Sequence, residues 1–195
     1  GPREWTEGYG YLYEQDKTLK RMVSLGFYLQ PWQTVKYQEH PGIGRFEGDQ
    51  IDPEDWKSRV PDAAVLRAGA DDDFWAARRV MAFSDEMIRA LVKTGQYSDP
   101  KAEEHLGTVL IQRRNKIGQT YLPRVNPLVR FALTASDVLT FENAAVRAGV
   151  AKAPSSYVAT WSEFNNSNGT TKPIGETKSS NEQLNAPSGF PSSVG

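Results

Sequence analysis

Two histidines, His40 and His105, are the chain's whole supply of the residue most often used to move protons at neutral pH, and no cysteine accompanies them. Disulfides, thiolate nucleophiles and Cys-ligated zinc are thereby excluded. His105 follows Glu104 directly, but neighbouring helical positions point ~100° apart, so the two do not form a cluster. His40 precedes Pro41 in a segment with loop character, and the chain holds no HExxH or similar zinc spacing. Both histidines are therefore expected to be structural or surface residues.

Other chemically suggestive runs have simpler readings. GIGRFEGD, Gly42 to Asp49, resembles a phosphate loop only superficially, since its spacing is neither GxGxxG nor GxxxxGK[ST]. Asp49, Asp52, Glu54 and Asp55 supply the oxygens a Ca²⁺ ion wants, but Pro53 interrupts them and their order is not that of an EF-hand. Asp71, Asp72 and Asp73 read as acidic charge at a helix N-terminus. The basic cluster Arg113, Arg114, Lys116 and Arg124, with Arg130 beyond it, is a possible surface for phosphate or an acidic partner. Much of it falls at the end of a helix, where cations are favourable in any case. Trp75 and Arg79 are spaced for a cation–π pair. Asn165-Asn166-Ser167 and Asn168-Gly169-Thr170 match the glycosylation sequon, which matters only in a eukaryotic secretory setting. No catalytic residue, metal or cofactor is expected.

The elements carrying these residues fall into four parts. The first thirty residues are aromatic-rich, with Trp5, Tyr9, Tyr11, Tyr13, Phe27 and Tyr28. Asp16 is placed to cap a helix over KTLKRMVSL, with Leu19, Met22 and Val23 on one face and Gly26 as the stop. Residues 30–70 are punctuated by proline and glycine, predicting a long irregular loop that wraps a surface or serves a function, with one short helix starting at Asp52-Pro53. Three capped helices follow, DDDFWAARRVMAF, SDEMIRALVKTG and SDPKAEEHLGTVLIQRRNKIG. Ser84 and Asp99 cap the second and third, and Gly95 and Gly118 are the expected stops. Apolar faces run through Phe74, Ala77, Val80 and Met81, through Met87, Ile88, Leu91 and Val92, and through Ala102, Leu106, Val109, Leu110 and Ile117. Connections this short predict helices packed as neighbours.

From about Tyr121 the period changes. LVRFAL, DVLTF and SYVATWSEF read as strands, with Tyr157, Ala159 and Trp161 alternating against Val158, Thr160 and Ser162. ENAAVRAGV reads as a short helix or part of a hairpin, and Asn165–Gly169 as a hairpin turn. The expected fold is α+β: a compact helical core of three to four helices, then a truncated β-rich segment. The expected divisions are a helical domain over 1–122, a β-rich segment over 123–164 and a Ser/Asn/Gly-rich turn or disordered tail over 165–195.

Composition is consistent with this plan. A hydrophobic content of 38% over 195 residues can bury a sizeable core, and a net charge of -1 argues against a nucleic-acid binder driven by bulk charge. No apolar run approaches the ~20 residues that span a bilayer. The chain starts at Gly1-Pro2 and stops within FPSSVG, which reads as a fragment of a larger protein.

The segments GPREWTEGYGYLYEQDKTLKRMVSLGFYLQPW, GRFEGDQIDPEDWKSRVPDAAVL, DDDFWAARRVMAFSDEMIRALVKTGQYSDPKAEEHLGTVLIQRRNKIG and YLPRVNPL resemble a group of uncharacterised bacterial proteins, over about residues 1–131. In that group the upstream part resembles a protein-kinase-like or spore-coat-kinase-like core with an Asn-His-x-Asp stretch and a later Asp-Phe segment. The Asn-His-x-Asp stretch is absent here. The resemblance implies that this chain is the C-terminal part, that its partner is the upstream part of its parent, and that the compartment is bacterial periplasmic or secreted. Two functions follow as expectations: a non-catalytic helical subdomain, or the substrate-binding lobe of a kinase-like phosphotransferase.

Overall fold

Polar caps written into the sequence set where the helices begin. The computed structural model describes residues 15–29, 34, 36, 38–44, 46–54 and 62–191. The aromatics Trp5, Tyr9, Tyr11 and Tyr13 lie outside them, as does all but the start, Asp52 to Glu54, of the short helix expected at Asp52-Pro53. The described chain divides into two units, 1–125 and 126–195.

In the first unit, α1 spans Gln15–Val23, α2 Ala63–Arg67, α3 Ala70–Val80, α4 Asp85–Lys93 and α5 Pro100–Tyr121. Asp62 accepts the Val65 N–H at 2.9 Å, Ser84 the Met87 N–H at 3.2 Å and Asp99 the Lys101 N–H at 2.9 Å. Each satisfies a backbone donor that the first helical turn would otherwise leave unpaired. At α3 the Asp72 carboxylate reaches back to the Gly69 N–H, 3.0 Å away. Asp16 lies inside the first turn of α1 rather than capping it. Gly26, at φ +89°, closes that helix by donating to the Arg21 carbonyl at 2.8 Å.

Helices α3 and α4 pack against α5, and a 3₁₀ turn over Leu122–Arg124 continues it. Ala77, Ile88, Val92, Ala102, Val109 and Leu122 form the buried seam. Small residues permit the close approach of α3 to α5: a Cβ on Gly118 would sit 2.5 Å from the Met81 sulfur. This corrects the expectation that Gly118 ends the helix. The helix runs on to Tyr121, and the glycine provides clearance for Met81 rather than a stop.

The second unit contains β1 Leu128–Leu133, β2 Val138–Asn143, α6 Ala144–Arg147, β3 Tyr157–Asn165, β4 Thr170–Ser179 and β5 Gln183–Asn185. Its antiparallel sheets have the orders β1-β2-β5 and β3-β4. Phe141, Tyr157 and Leu184 form its core, with Leu128, Leu139, Ala159 and Trp161 around them. Phe141 meets Tyr157 edge-on at 5.0 Å, and Trp161 meets Phe190 in the same manner at 5.3 Å. The short helix at ENAAVR forms because Asn143 caps it, accepting from Ala145 and Val146. The expected turn at 165–169 closes β3 onto β4 with Gly169 at φ +70°. The remainder of the 165–195 segment, expected as a turn or tail, carries β4 and β5. The fold is α+β, a packed helical region followed by a β-rich segment of two small antiparallel sheets.

Candidate functional site

The chemically capable side chains of the first unit meet along one face of α5. Residues 38–44 and 46–54, here called the strap, run along that helix in the same direction. His40 lies near its start and Glu54 near its end. Donors at helical spacing along α5 hold the strap by its backbone carbonyls. His105 Nε2 lies 3.2 Å from the Phe46 carbonyl and Arg113 Nε 2.6 Å from that of Glu47. Lys116 Nζ donates to the Asp49 carbonyl and, at 3.0 Å, to that of Ile51. The Tyr121 hydroxyl reaches Pro53 at 3.0 Å. Gly48 lies buried between these contacts because only a hydrogen fits against Gln112 and the Val109 carbonyl. The expectation that the irregular segment wraps a surface thus describes its strap portion.

This seam absorbs much of the basic cluster. Besides its bond to the strap, the Arg113 guanidinium lies 4.3 Å over the Phe46 ring and 4.0 Å from the Glu47 carboxylate. Lys116 is engaged as described. Arg124 pairs with Glu54 and, at 3.5 Å, with Asp73. Arg114 turns to another side of the helix, donating to the Phe83 carbonyl and to Asp85, both at 2.6 Å. It ties the α3–α4 connection to α5. Arg130 belongs to the second unit, where it stands at φ +57° beside a bulge in β1 and 3.6 Å from Glu142.

The two histidines, remote in sequence, meet with ring centroids 5.0 Å apart. His40 is only 6% exposed, its Nδ1 lies 3.4 Å from Asp99 Oδ2, and its Nε2 is buried without a partner. The Asp99 carboxyl is held below the usual carboxylate range, chiefly by the Lys101 N–H and further by His40, against an opposing effect of desolvation. At the far end of the seam, burial pushes the Tyr121 phenol up, and the charges of Asp73 and Asp52 add to it. An open hollow of about 480 Å³ beside His105 is lined by Gln38, Pro100, Lys101, Glu104 and Thr108.

Gly42 and Gly44 form a tight turn, Gly44 at φ +66° donating to the His40 carbonyl at 2.9 Å. No helix N-terminus follows it to cradle a phosphate, and the chain continues as the strap. Asp52 accepts the Glu54 N–H, and Glu54 pairs with Arg124. Among the described residues no three His, Cys, Asp or Glu side chains are grouped to hold a metal ion. The histidine pairing had no signal in the sequence, because nothing local joins positions 40 and 105.

A second feature is apolar. Val80, Phe83, Ile88, Leu91, Leu110 and Ile117 line an open cleft of about 350 Å³ between α3, α4 and α5, edged by Arg113 and Arg114. Phe83, Met87 and Leu91 are exposed at or near it; Leu19, Met22 and Val23 on α1 are exposed as well. No described helix is long and apolar enough to cross a membrane. No family model matches this chain, and no match was found among curated proteins or solved structures.

Proposed function

We propose that this chain is a non-catalytic helical module of a larger bacterial protein, packed through its uncovered apolar surface against the preceding part of its parent. One observation carries the reading. Arg113, Lys116 and Arg124 are committed to the strap, and Arg114 to the α3–α4 connection. Cations already bonded to carbonyls and carboxylates are poorly placed to neutralise a transferring phosphoryl group. The apolar cleft and the bare face of α1 are instead the kind of surface that a second folded body covers. The substrate-lobe alternative would need that basic face free.

Calorimetric titration of Mg·ATP into this chain, and into a version extended upstream along its natural gene, tests the reading. No heat of binding is expected from the chain itself. In the extended protein, amides of α4 should exchange more slowly because Leu91 and Phe83 become covered. Nucleotide binding by this chain alone overturns the proposal, as does unchanged α4 exchange in the extended protein.

A further inference from the structure

Of the chain's eight asparagines, Asn168 alone precedes a glycine, and the pair stands at the exposed tip of the β3–β4 hairpin. The next residue matters because its backbone nitrogen can attack an asparagine side chain, and glycine has no Cβ to crowd the approach. The surroundings are open as well: nothing lies within 4 Å of where a Gly169 Cβ would stand.

The Asn168 side chain is polarised toward such an attack. Its Oδ1 accepts from the Thr170 N–H at 3.0 Å and from the Thr170 hydroxyl at 2.7 Å. A backbone N–H only donates, so the acceptor is the amide oxygen and not its nitrogen. Both donors draw electron density from Cγ and remain aimed at the oxygen as it gains charge. One contact opposes the attack, since the Gly169 N–H donates to the Asn165 carbonyl at 2.9 Å. Opening that bond disturbs no buried group, because residues 162–170 are all exposed.

Asn165 is an internal comparison. Its Oδ1 also accepts the N–H two residues on, that of Ser167, at 2.9 Å. Its next residue is Asn166, however, whose Cβ crowds the attacking nitrogen. Elsewhere, Asn126 precedes Pro127, which has no N–H to lose, while Asn115 is held within α5 and Asn143 caps α6.

We propose that Asn168 is a site of self-modification, cyclising with Gly169 to an imide that water opens, with the Thr170 hydroxyl receiving the charge that develops on Oδ1. The Gly169 nitrogen gives its proton to solvent and bonds to Cγ. The Cγ–Nδ2 bond breaks, and the nitrogen leaves as ammonia after taking a proton from water. Water then adds to one or the other imide carbonyl, giving aspartate or isoaspartate, so that one water is consumed and one ammonia released. Either product adds one negative charge to a chain of net charge -1 and ends the match to the glycosylation sequon. Isoaspartate also inserts a methylene into the main chain between β3 and β4.

Ageing the full chain in mildly alkaline buffer at body temperature, followed by peptide mapping, reads the reaction. Tandem fragmentation separates Asn168 from Asn165 and Asn166. Position 168 is expected to gain about 1 Da, about tenfold or more faster than any other asparagine, and to contain isoaspartate. Gly169→Ala should slow the gain about tenfold by crowding the nitrogen. Thr170→Val keeps the size and branching of the side chain but removes the hydroxyl donor, and should slow it about threefold, a loss moderated by solvent. Should alanine at φ +70° unseat the turn, Thr170→Val decides. An Asn168 that stays intact overturns the proposal, as does aspartate alone, the product of direct hydrolysis. So does an equal rate at Asn165 or Asn166, or a wild-type rate in Thr170→Val.

Discussion

Replacing Gly48 by alanine tests whether the strap is seated on α5 as described. A Cβ at that position would lie 2.5 Å from Gln112 Oε1, 2.8 Å from Gln112 Cβ and 2.9 Å from the Val109 carbonyl oxygen. The amide oxygen can swing aside. The Cβ and the carbonyl belong to the helix itself and cannot, so the strap must move. Its φ lies outside the left-handed region, so alanine brings no backbone strain and the cost is purely steric. Forcing a methyl into a filled contact costs ~1–3 kcal/mol. Lifting the strap instead stretches the Arg113–Glu47 and Lys116–Ile51 hydrogen bonds, each worth a net ~1 kcal/mol. Both routes give a loss of about 2 kcal/mol, limited by the docking energy of the strap, since α3, α4 and α5 can stay packed without it. Urea unfolding followed by helical circular dichroism isolates the first unit, because the four-residue α6 is the one helix among the described residues of the second. Gly42→Ala is the control: nothing lies within 4 Å of its Cβ, and its change should stay within ~0.5 kcal/mol. A Gly48→Ala loss no larger than that of the control would refute the seating.

Leu122, 1% exposed beneath the end of α5, should cost ~2–5 kcal/mol on truncation to alanine. Leu110 lines the open cleft, so Leu110→Ala should cost less, ~1–2 kcal/mol, and the two urea midpoints rank the sites. Tyr121 has a folded pKa raised above its unfolded value. Its contribution is therefore fully present below the ordinary phenol pKa and lost as pH rises through the folded one; the alkaline loss of stability should diminish in Tyr121→Phe, measured by unfolding at stepped pH. In the second unit, Phe141→Ala should cost ~3–5 kcal/mol and strip the β3 and β4 amides of their hydrogen-exchange protection while leaving the helical signal in place.

Local chemistry made the helices legible. Ser84, Asp99 and Pro100 mark helix starts in the sequence and mark them in the structure, because a cap acts on its own first turn. The strand alternation at Tyr157, Ala159 and Trp161 was readable for the same reason: burial with a period of two follows from the pleat. Glycines misled where their role was tertiary. Gly118 looks like a helix stop until Met81 is seen against it, and Gly48 looks like loop punctuation until α5 lies beneath it. The β4 and β5 strands were obscured because their sequences, TTKPIGETKS and QLN, are polar and interrupted, with few residues facing a core. The 63–67 helix was hidden in a stretch that reads as loop, since one turn and a cap are too short to show a period.

The role of the basic residues needed the fold, and the reason lies in what α5 packs against. Along much of its length the helix is partly buried on both sides, with α3 and α4 on one and the strap on the other. An apolar stripe is the sequence signal for a helix face that meets side chains. A face that meets irregular backbone requires the opposite, because each strap carbonyl removed from water needs a donor. His105, Arg113 and Lys116 are that answer: polar residues at helical spacing whose partners are main-chain atoms. In one dimension such a stripe is indistinguishable from a solvated face or an anion site. The distinction lies in the strap, where Gly48 and the run of carbonyls from Phe46 to Pro53 supply surface that α5 can approach closely. A cationic helix face opposite a glycine-punctuated loop can therefore be a backbone-binding seam, and its charge is a measure of the peptide it holds.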